Sequence, residues 1–171
     1  MPTQTRVLIA VADGEHVRFL RPAGDNALHT VTSLASDAAH QRSSDLRSGR
    51  PGASMHSDST AHHALAPKHD PHQQEKMLFG QEVARQLNAA SGRGDFDELV
   101  IAAPSHTLEA IRGALDTATA AKVVGTLHKD LSKTPDHEIW PHVKEWVRPV
   151  HRSVPFSPDR PDSAAAAQRV K

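Results

Sequence analysis

The sequence predicts an α/β protein with a mixed sheet, in which a three-stranded antiparallel meander precedes an α-β-α-β-α unit. Two observations support this prediction. Three apolar, β-branched segments separated by short turns fill the first 35 residues, and short apolar segments alternate with helical patterns in the second half. Short turns join antiparallel strands, whereas strands that alternate with helices usually pair in parallel. One mixed sheet with helices packed on it accommodates both halves.

The first half contains three predicted strands, which are Thr5–Ala12, Glu15–Arg21 and Ala27–Leu34. Asp13-Gly14, between the first two strands, is a strong hairpin signal and predicts a type I′ turn. Side chains alternate between the two faces of a strand. The third strand is therefore predicted to place four side chains on one face: Leu28, Thr30, Thr32 and Leu34.

A helix is predicted to begin at Asp70-Pro71, where Asp70 is a good N-cap, Pro71 occupies the first helical position and Gln73 is placed for a capping box. Gly92 is the predicted end of this helix. Its buried face is predicted from apolar residues at helical spacing: Phe79, Val83, Leu87 and Ala90.

The remaining predicted elements alternate. A strand buried on both faces is predicted at Asp97–Ala103, followed by a helix from Pro104-Ser105. The segment Thr117–Lys122 either continues this helix or forms a separate turn. A strand at Val123–His128 and a last helix capped at Thr134-Pro135 complete the order. Proline removes a helical hydrogen bond, so Pro141 predicts a kink or a restart. Trp140 and Trp146 are interpreted as core or edge anchors. We expect a single domain over residues 1–150 and a flexible tail over 151–171.

Residues 38–70 form a long polar loop by their composition, and loops of this length are often functional or disordered. The arginine side chain binds phosphate through two parallel hydrogen bonds, and glycine lets the backbone approach a ligand closely. A solvated loop with Gly and Pro as turn residues is the open alternative. The candidate RNA- or phosphate-binding residues are Arg42, Arg47, Gly49, Arg50, Gly52 and Lys68, with Lys129 after the last strand. For Lys129, a salt bridge with Asp130 is the preferred interpretation.

The composition excludes several classes of function. Lys plus Arg (20) equals Asp plus Glu (20), so no global positive field indicates bulk nucleic-acid binding. Thirteen His residues let the chain gain positive charge as pH falls through about 6.5. The chain has no Cys, no secretory-signal pattern at its start and no apolar run of membrane-spanning length, so we expect a cytoplasmic protein. No cofactor motif occurs, and none is expected.

Two acidic or histidine patterns have a functional and a structural interpretation. His69, His72 and Glu75 surround the predicted helix start, and the i, i+3 spacing of the last two suits one metal ion, although capping and a solvated first turn explain them as well. Asp13 could be the first-strand carboxylate of a ribonuclease H-like nuclease, with Asp37 as a marginal second acid. A tight turn is the preferred explanation of Asp13-Gly14.

Four short motifs occur in order along the chain: Ala12-Asp13-Gly14, Arg50-Pro51-Gly52, Asp70-Pro71-His72 and Lys129-Asp130-Leu131. With the element order, they resemble the family of proteins required for attachment to host cells, over about Arg6 to Trp146. The resemblance implies a relation to the middle domain of archaeal and eukaryotic peptide-chain release factors, and hence a ribonuclease H-like sheet.

One departure from the release-factor pattern limits what the resemblance implies. The release-factor domain hydrolyses peptidyl-tRNA through a Gly-Gly-Gln loop, and this chain contains no Gly-Gly-Gln. Three hypotheses remain: a non-enzymatic module that binds RNA or the ribosome through the basic loop, a metal-dependent hydrolase, and a host-interaction protein.

Overall fold

The computed structural model describes residues 4–41 and 70–147. The strands are β1 (Val7–Ala12), β2 (His16–Pro22), β3 (Leu28–Ala35), β4 (Glu98–Ala102) and β5 (Val123–Leu127). The helices with both ends inside the described residues are α1 (Pro71–Gly92), α2 (Ser105–Ala114), α3 (Thr117–Ala120) and α4 (Asp136–Val143). The predicted mixed α/β class and element order are therefore confirmed, with boundaries shifted by one or two residues.

The five strands form one sheet in the order β3-β2-β1-β4-β5. Strand β2 is antiparallel to β1 and to β3, whereas β4 is parallel to both β1 and β5. Both predicted pairing modes are thus present in one sheet. The parallel strands β1, β4 and β5 have their carboxyl ends at the same edge, and this edge carries the site described below.

A hydrophobic core covers each face of the sheet. On one face α1 and α2 pack on the central strands, and Val83, Leu108 and Ile111 have no exposed surface. On the other face α4 covers the sheet through Ile139 and Val143, which are equally buried. All residues of β4 except Glu98 are buried, as predicted for a strand covered on both faces.

The hairpin between β1 and β2 forms at Asp13-Gly14, but the predicted type I′ turn is wrong. Among the described residues only Asn26 and Gly94 have positive φ, whereas a type I′ turn needs it at both central positions. The Asp13 carboxylate instead accepts the backbone N–H groups of Glu15 (2.7 Å) and His16 (2.6 Å). This side-chain cap replaces the turn conformation that the dipeptide predicts.

The prediction that Leu28, Thr30, Thr32 and Leu34 share one face of β3 is also wrong, because the strand contains a β-bulge. Thr30 pairs with Leu20 and Thr32 with Phe19, so Val31 is an extra residue. A one-residue insertion reverses the faces of all later side chains. Leu28 and Thr30 therefore lie on the α4 side, whereas Thr32 and Leu34 lie on the α1 side.

Helix α1 begins at the predicted residues, but within the described part of the chain the Gln73 side chain does not complete the predicted capping box. Asp70 is its N-cap, accepting the N–H of His72 at 3.0 Å, and Pro71 is the first helical residue. Gly92 is the last helical residue, as expected, although the left-handed glycine of the C-terminus is Gly94. Phe79, Val83 and Leu87 are buried and Ala90 is partly buried, so the predicted inward face is confirmed.

Three further predictions have outcomes here. Thr117–Ala120 is a separate short helix. Helix α4 runs through Pro141 to Val143, so of the predicted kink or restart the restart is wrong, and the kink stays a prediction. The helix ends within one turn of the proline, which limits the number of affected hydrogen bonds. Trp140 and Trp146 are partly buried against the α4-side core, which confirms them as anchors.

The predicted loop does not begin at Ala38, since residues 37–41 are helical. Ser36 caps this segment: its hydroxyl accepts the N–H of Ala39 at 3.2 Å, and its carbonyl accepts that of His40 at 3.0 Å. Residues 42–69 and 148–171, which include the rest of the predicted loop and the predicted tail, lie outside the described residues.

Candidate functional site

A polar cleft of about 320 Å³ lies at the edge of the sheet where β1, β4 and β5 end. The β1–β2 hairpin, the first two turns of α1, the first turn of α2 and the segment after β5 form its walls. Ligands of open α/β sheets commonly bind outside the carboxyl ends of parallel strands. The residues that line the cleft are Asp13, Gly14, Glu15, Gln73, Lys76, Pro104, His106, Thr107 and Asp130.

The hairpin wall depends on Gly14. A methyl group added there would lie 2.5 Å from Cγ and 2.8 Å from Cδ of Lys76, closer than atoms approach without displacement. Glycine therefore lets the lysine side chain cross the hairpin along the cleft wall. Asp13 is fixed beside it by the two backbone hydrogen bonds to its Oδ1 atom.

The α2 wall is formed by a helix start without a side-chain cap. Pro104 is the N-cap residue and supplies no capping hydrogen bond, and the N–H of Leu108 is the first to bond back, to the Pro104 carbonyl at 2.9 Å. Thr107 is only 3% exposed. Its side chain lines the cleft.

Beside the cleft, the Ser105 hydroxyl lies 3.2 Å from Nδ1 of His128, and both side chains are exposed. A serine nucleophile needs a base that is itself oriented by a third group. Within residues 4–41 and 70–147, His128 has no carboxylate partner. The described contacts therefore form a serine–histidine pair and not a triad.

Asp130 does not form the predicted salt bridge with Lys129. Its Oδ1 atom accepts the backbone N–H of Ser132 at 3.0 Å and the Ser132 hydroxyl at 2.6 Å. The hydroxyl hydrogen bond is the largest cause that lowers the pKa of Asp130. A local turn satisfies this carboxylate better than the flexible, exposed Lys129 side chain does. Asp130 is therefore ionised at neutral pH.

The proposed metal cluster is described in part. His72 and Glu75 lie on one face of α1, with 3.9 Å between Nδ1 and Oε2, and both are exposed. His69 lies outside the described residues. Within residues 4–41 and 70–147, no group of three or more His, Asp or Glu side chains is arranged to hold a metal ion.

Of the candidate phosphate-binding residues, only Lys129 lies in the described part, where it is exposed after β5. The others, Arg42, Arg47, Gly49, Arg50, Gly52 and Lys68, lie outside it. Their role as a basic binding loop stays a prediction.

The cleft brings together residues for which the sequence predicts no common site. The sequence predicts a local turn or ion pair for Asp13 and Asp130, and it gives no functional signal for Lys76, His106 and Thr107. The signal that could have found the cleft is the strand order, since Asp13, Pro104 and Asp130 each follow a parallel strand. Asp37, the second acid of the nuclease interpretation, is exposed after β3 and does not line the cleft.

The fold and the cleft define a small mixed α/β protein with a polar site at the carboxyl edge of its parallel strands. The family model described as "Protein required for attachment to host cells" matches residues 8–143, and the chain belongs to this family. No curated protein matches the chain. In the described residues, none of the helices has the length and apolar character to span a bilayer.

Proposed function

We propose that this member of the host attachment family is a non-enzymatic module that binds RNA, on the ribosome or free, through its basic segment. The observation that carries the proposal is the composition of residues 42–69. This segment contains four basic residues, Arg42, Arg47, Arg50 and Lys68, and only two acidic ones, Asp45 and Asp58. Arginine and lysine contacts with phosphates supply most of the non-specific affinity of proteins for nucleic acids.

The fold supports a relation to the release-factor middle domain and its ribonuclease H-like sheet. The antiparallel meander β1-β2-β3 is followed by α1, β4, α2 and β5, which is the order that the resemblance implies. In the sequence the basic segment lies between β3 and α1, and the resemblance matches it to the catalytic loop of the release-factor domain. Because Gly-Gly-Gln is absent, we propose binding without peptidyl-tRNA hydrolysis.

The test is a salt titration of binding to purified ribosomes and to single-stranded RNA. Each lost phosphate contact flattens the log–log salt dependence by about one unit. Arg47→Ala with Arg50→Ala should therefore reduce the slope by about two units and leave the melting temperature unchanged. Protonation of His56, His62 and His63 should strengthen binding below pH ~6.5.

The matched control removes two positive charges elsewhere, through Arg112→Ala with Lys144→Ala, both exposed on the described surface. This control should keep the wild-type slope. Equal slopes for wild type and the Arg47/Arg50 double variant would remove the basic segment as an RNA-binding element. Binding to RNA but not to ribosomes in co-sedimentation would exclude the ribosomal part of the proposal.

A second candidate follows from the description of the matched family, which is attachment to host cells. Under this candidate the chain contacts a host surface directly. Binding of the purified protein to intact host cells, competed by excess unlabelled protein, would favour it over RNA binding.

A further inference from the structure

Strands β3 and β5 are the two edges of the sheet, and the second half of β3 can still accept a neighbouring strand. We infer that Thr32–Ser36, the open edge segment, is an interface for a second copy of this chain. The two copies pair through antiparallel β3 strands about a two-fold axis at Leu34, which joins their sheets into one continuous sheet. This inference does not rest on the proposed RNA binding.

The register of β3 against β2 shows which backbone groups face outward. In an antiparallel pair, residues whose N–H and C=O groups face the neighbouring strand alternate with residues whose groups face away. The N–H of Ser36 donates to the carbonyl of Glu15 at 2.7 Å, so Ser36 faces β2. The register has no shift between this point and the bulge, so Leu34 also faces β2, whereas Ser33 and Ala35 face away. Within the described residues, no group bonds to these outward N–H and C=O groups.

The first half of β3 is closed to a neighbouring strand. The N–H of Thr30 also faces outward, but the Asp136 carboxylate accepts it at 2.7 Å. The bulge at Val31 interrupts the edge next to it. Charged groups and bulges are common devices that protect edge strands from pairing. The part of β3 that can pair therefore begins after Val31 and ends at Ser36, which caps the helical residues that follow.

The open edge segment is self-complementary. Ser33 and Ala35 flank Leu34 symmetrically, so a two-fold axis at Leu34 places Ser33 of each copy opposite Ala35 of the other. Each of these pairs can exchange both of its N–H···O hydrogen bonds, which gives about four bonds across the interface. The two Leu34 residues then form a pair without backbone hydrogen bonds, in which side chains lie closest, and they make an apolar contact.

The composition of the segment favours a second copy as the partner. Thr32–Ser36 contains no charged residue and no proline, so pairing with itself places no like charges opposite each other and lacks no N–H donor. The same patch on both subunits is also the usual form of a two-fold interface. The other edge is less suitable, because β5 has only five residues and a register shift in its pairing with β4. Short strands and bulges both discourage pairing.

The first experiment is sedimentation velocity of the full chain at increasing concentration. Pairing through one short segment buries less surface than a standard interface, so the dimer should be weak. The weight-average sedimentation coefficient should rise toward that of a dimer, with a midpoint between about 10 µM and about 1 mM. A constant monomer value up to about 1 mM would overturn the inference.

The second experiment removes one outward N–H group. Ser33→Pro does so without removing a hydrogen bond to β2, and proline is tolerated on edge strands where the N–H faces away from the sheet. This variant should dimerise at least about tenfold more weakly. Ser33→Ala is the matched control, because it keeps the N–H, and it should dimerise like the wild type. Wild-type dimerisation by a folded Ser33→Pro variant, or an equal loss in Ser33→Ala, would overturn the inference.

The third experiment tests the register by cross-linking and does not depend on the proline variant. The chain has no Cys, so a single introduced Cys forms a disulfide only between copies. At the two-fold axis the Cα atoms of two Leu34→Cys residues lie about 4.5 Å apart, which a disulfide can span. Two Thr32→Cys residues lie four positions apart along the strands, or about 13 Å, which is too far. Under a mild oxidant, Leu34→Cys should therefore form a covalent dimer at least about tenfold faster than Thr32→Cys. Equal rates, or no covalent dimer of Leu34→Cys, would overturn the pairing about Leu34.

Discussion

The guanidinium group of Arg18 on β2 donates a 2.7 Å hydrogen bond to the carboxylate of Asp136, the first residue of α4. The same guanidinium donates to the carbonyl oxygens of Leu131 (3.0 Å) and Thr134 (2.6 Å). The Asp136 carboxylate also accepts the backbone N–H and the hydroxyl of Thr30 at 2.7 and 2.8 Å. This cluster fixes the start of α4 against β2 and β3, so it helps to hold the α4-side core in place.

Asp136→Ala should therefore destabilise the protein by about 2–3 kcal/mol. The substitution leaves a half-buried guanidinium without its carboxylate and removes a negative charge from the N-terminus of α4. The expected loss is below that of a fully buried pair, because both side chains keep some exposure. Urea denaturation followed by tryptophan fluorescence measures the change in the free energy of unfolding.

The control for Asp136→Ala is Arg85→Ala on α1. Arg85 pairs with Glu82 at 2.6 Å, and both side chains are largely exposed. Exposed pairs stabilise proteins by less than about 1 kcal/mol. An equal effect of the two substitutions would show that the Arg18 cluster is no more than a surface ion pair.

Gly125→Ala should destabilise the protein by about 1–3 kcal/mol, the usual cost of forcing extra atoms into a packed site. A methyl group added at Gly125 on β5 would overlap with the Trp146 ring. Combining Gly125→Ala with Trp146→Leu should relieve part of this loss, and thermal unfolding of the single and double variants measures both effects.

The control for Gly125→Ala is Gly113→Ala. Nothing lies within 4 Å of the methyl group added at Gly113, so this substitution should stabilise the helix by about 0.5–1 kcal/mol. Destabilisation by Gly113→Ala of similar size would contradict the steric explanation.

The element order was predictable because its signals are local. Turn residues, a helix cap at Asp70 and helical spacing of Phe79, Val83 and Leu87 each act within a few residues of sequence. The bulge at Val31 was not predictable in this way. It depends on how β3 registers against β2, where Leu20 faces the α4-side core and Phe19 the opposite one.

The candidate site was predictable only in part, for a similar reason. The sequence indicates that Asp13 and Asp130 follow strands, but their common cleft requires β1, β4 and β5 to share one edge. Thr107 gave no signal, since a threonine in a helical pattern is ordinary until its burial is known. The basic segment of residues 42–69 stays a prediction from composition.

Glu82→Gln should reduce stability at neutral pH and have progressively less effect in acid. Hydrogen bonds from Arg85, and then from Gln86, lower the pKa of Glu82 to about 2 from its ordinary value of 4.5. A carboxylate with a depressed pKa stabilises the folded state above its unfolded pKa, and this contribution is lost as pH falls through the folded pKa. The difference between wild type and variant should therefore shrink between about pH 4.5 and pH 2.

The expected difference at neutral pH is below about 1 kcal/mol, because the Glu82–Arg85 pair is largely exposed and screened by solvent. Urea denaturation at a series of pH values measures it. The control is Glu109→Gln on α2, which is exposed and has no ion pair in the described part of the chain. A pH-independent difference for Glu82→Gln, or the same pH dependence in the control, would contradict the assigned cause.

Added Zn²⁺ or Mn²⁺ should not raise the melting temperature through His72 and Glu75. Their nearest side-chain atoms are 3.9 Å apart on one exposed helix face, and two ligands do not complete a tetrahedral site. A bound metal ion would stabilise the folded state in proportion to its affinity, so a thermal titration with each ion is sensitive to even weak sites. His137→Ala is a matched control, since His137 forms a similar exposed contact of 3.7 Å with Glu138. The opposite result is a one-to-one stabilisation that is lost in His72→Ala and in Glu75→Ala but kept in His137→Ala. It would favour the metal-dependent hydrolase over the RNA-binding module. It would also indicate that His69 or another residue beyond the described part completes the site.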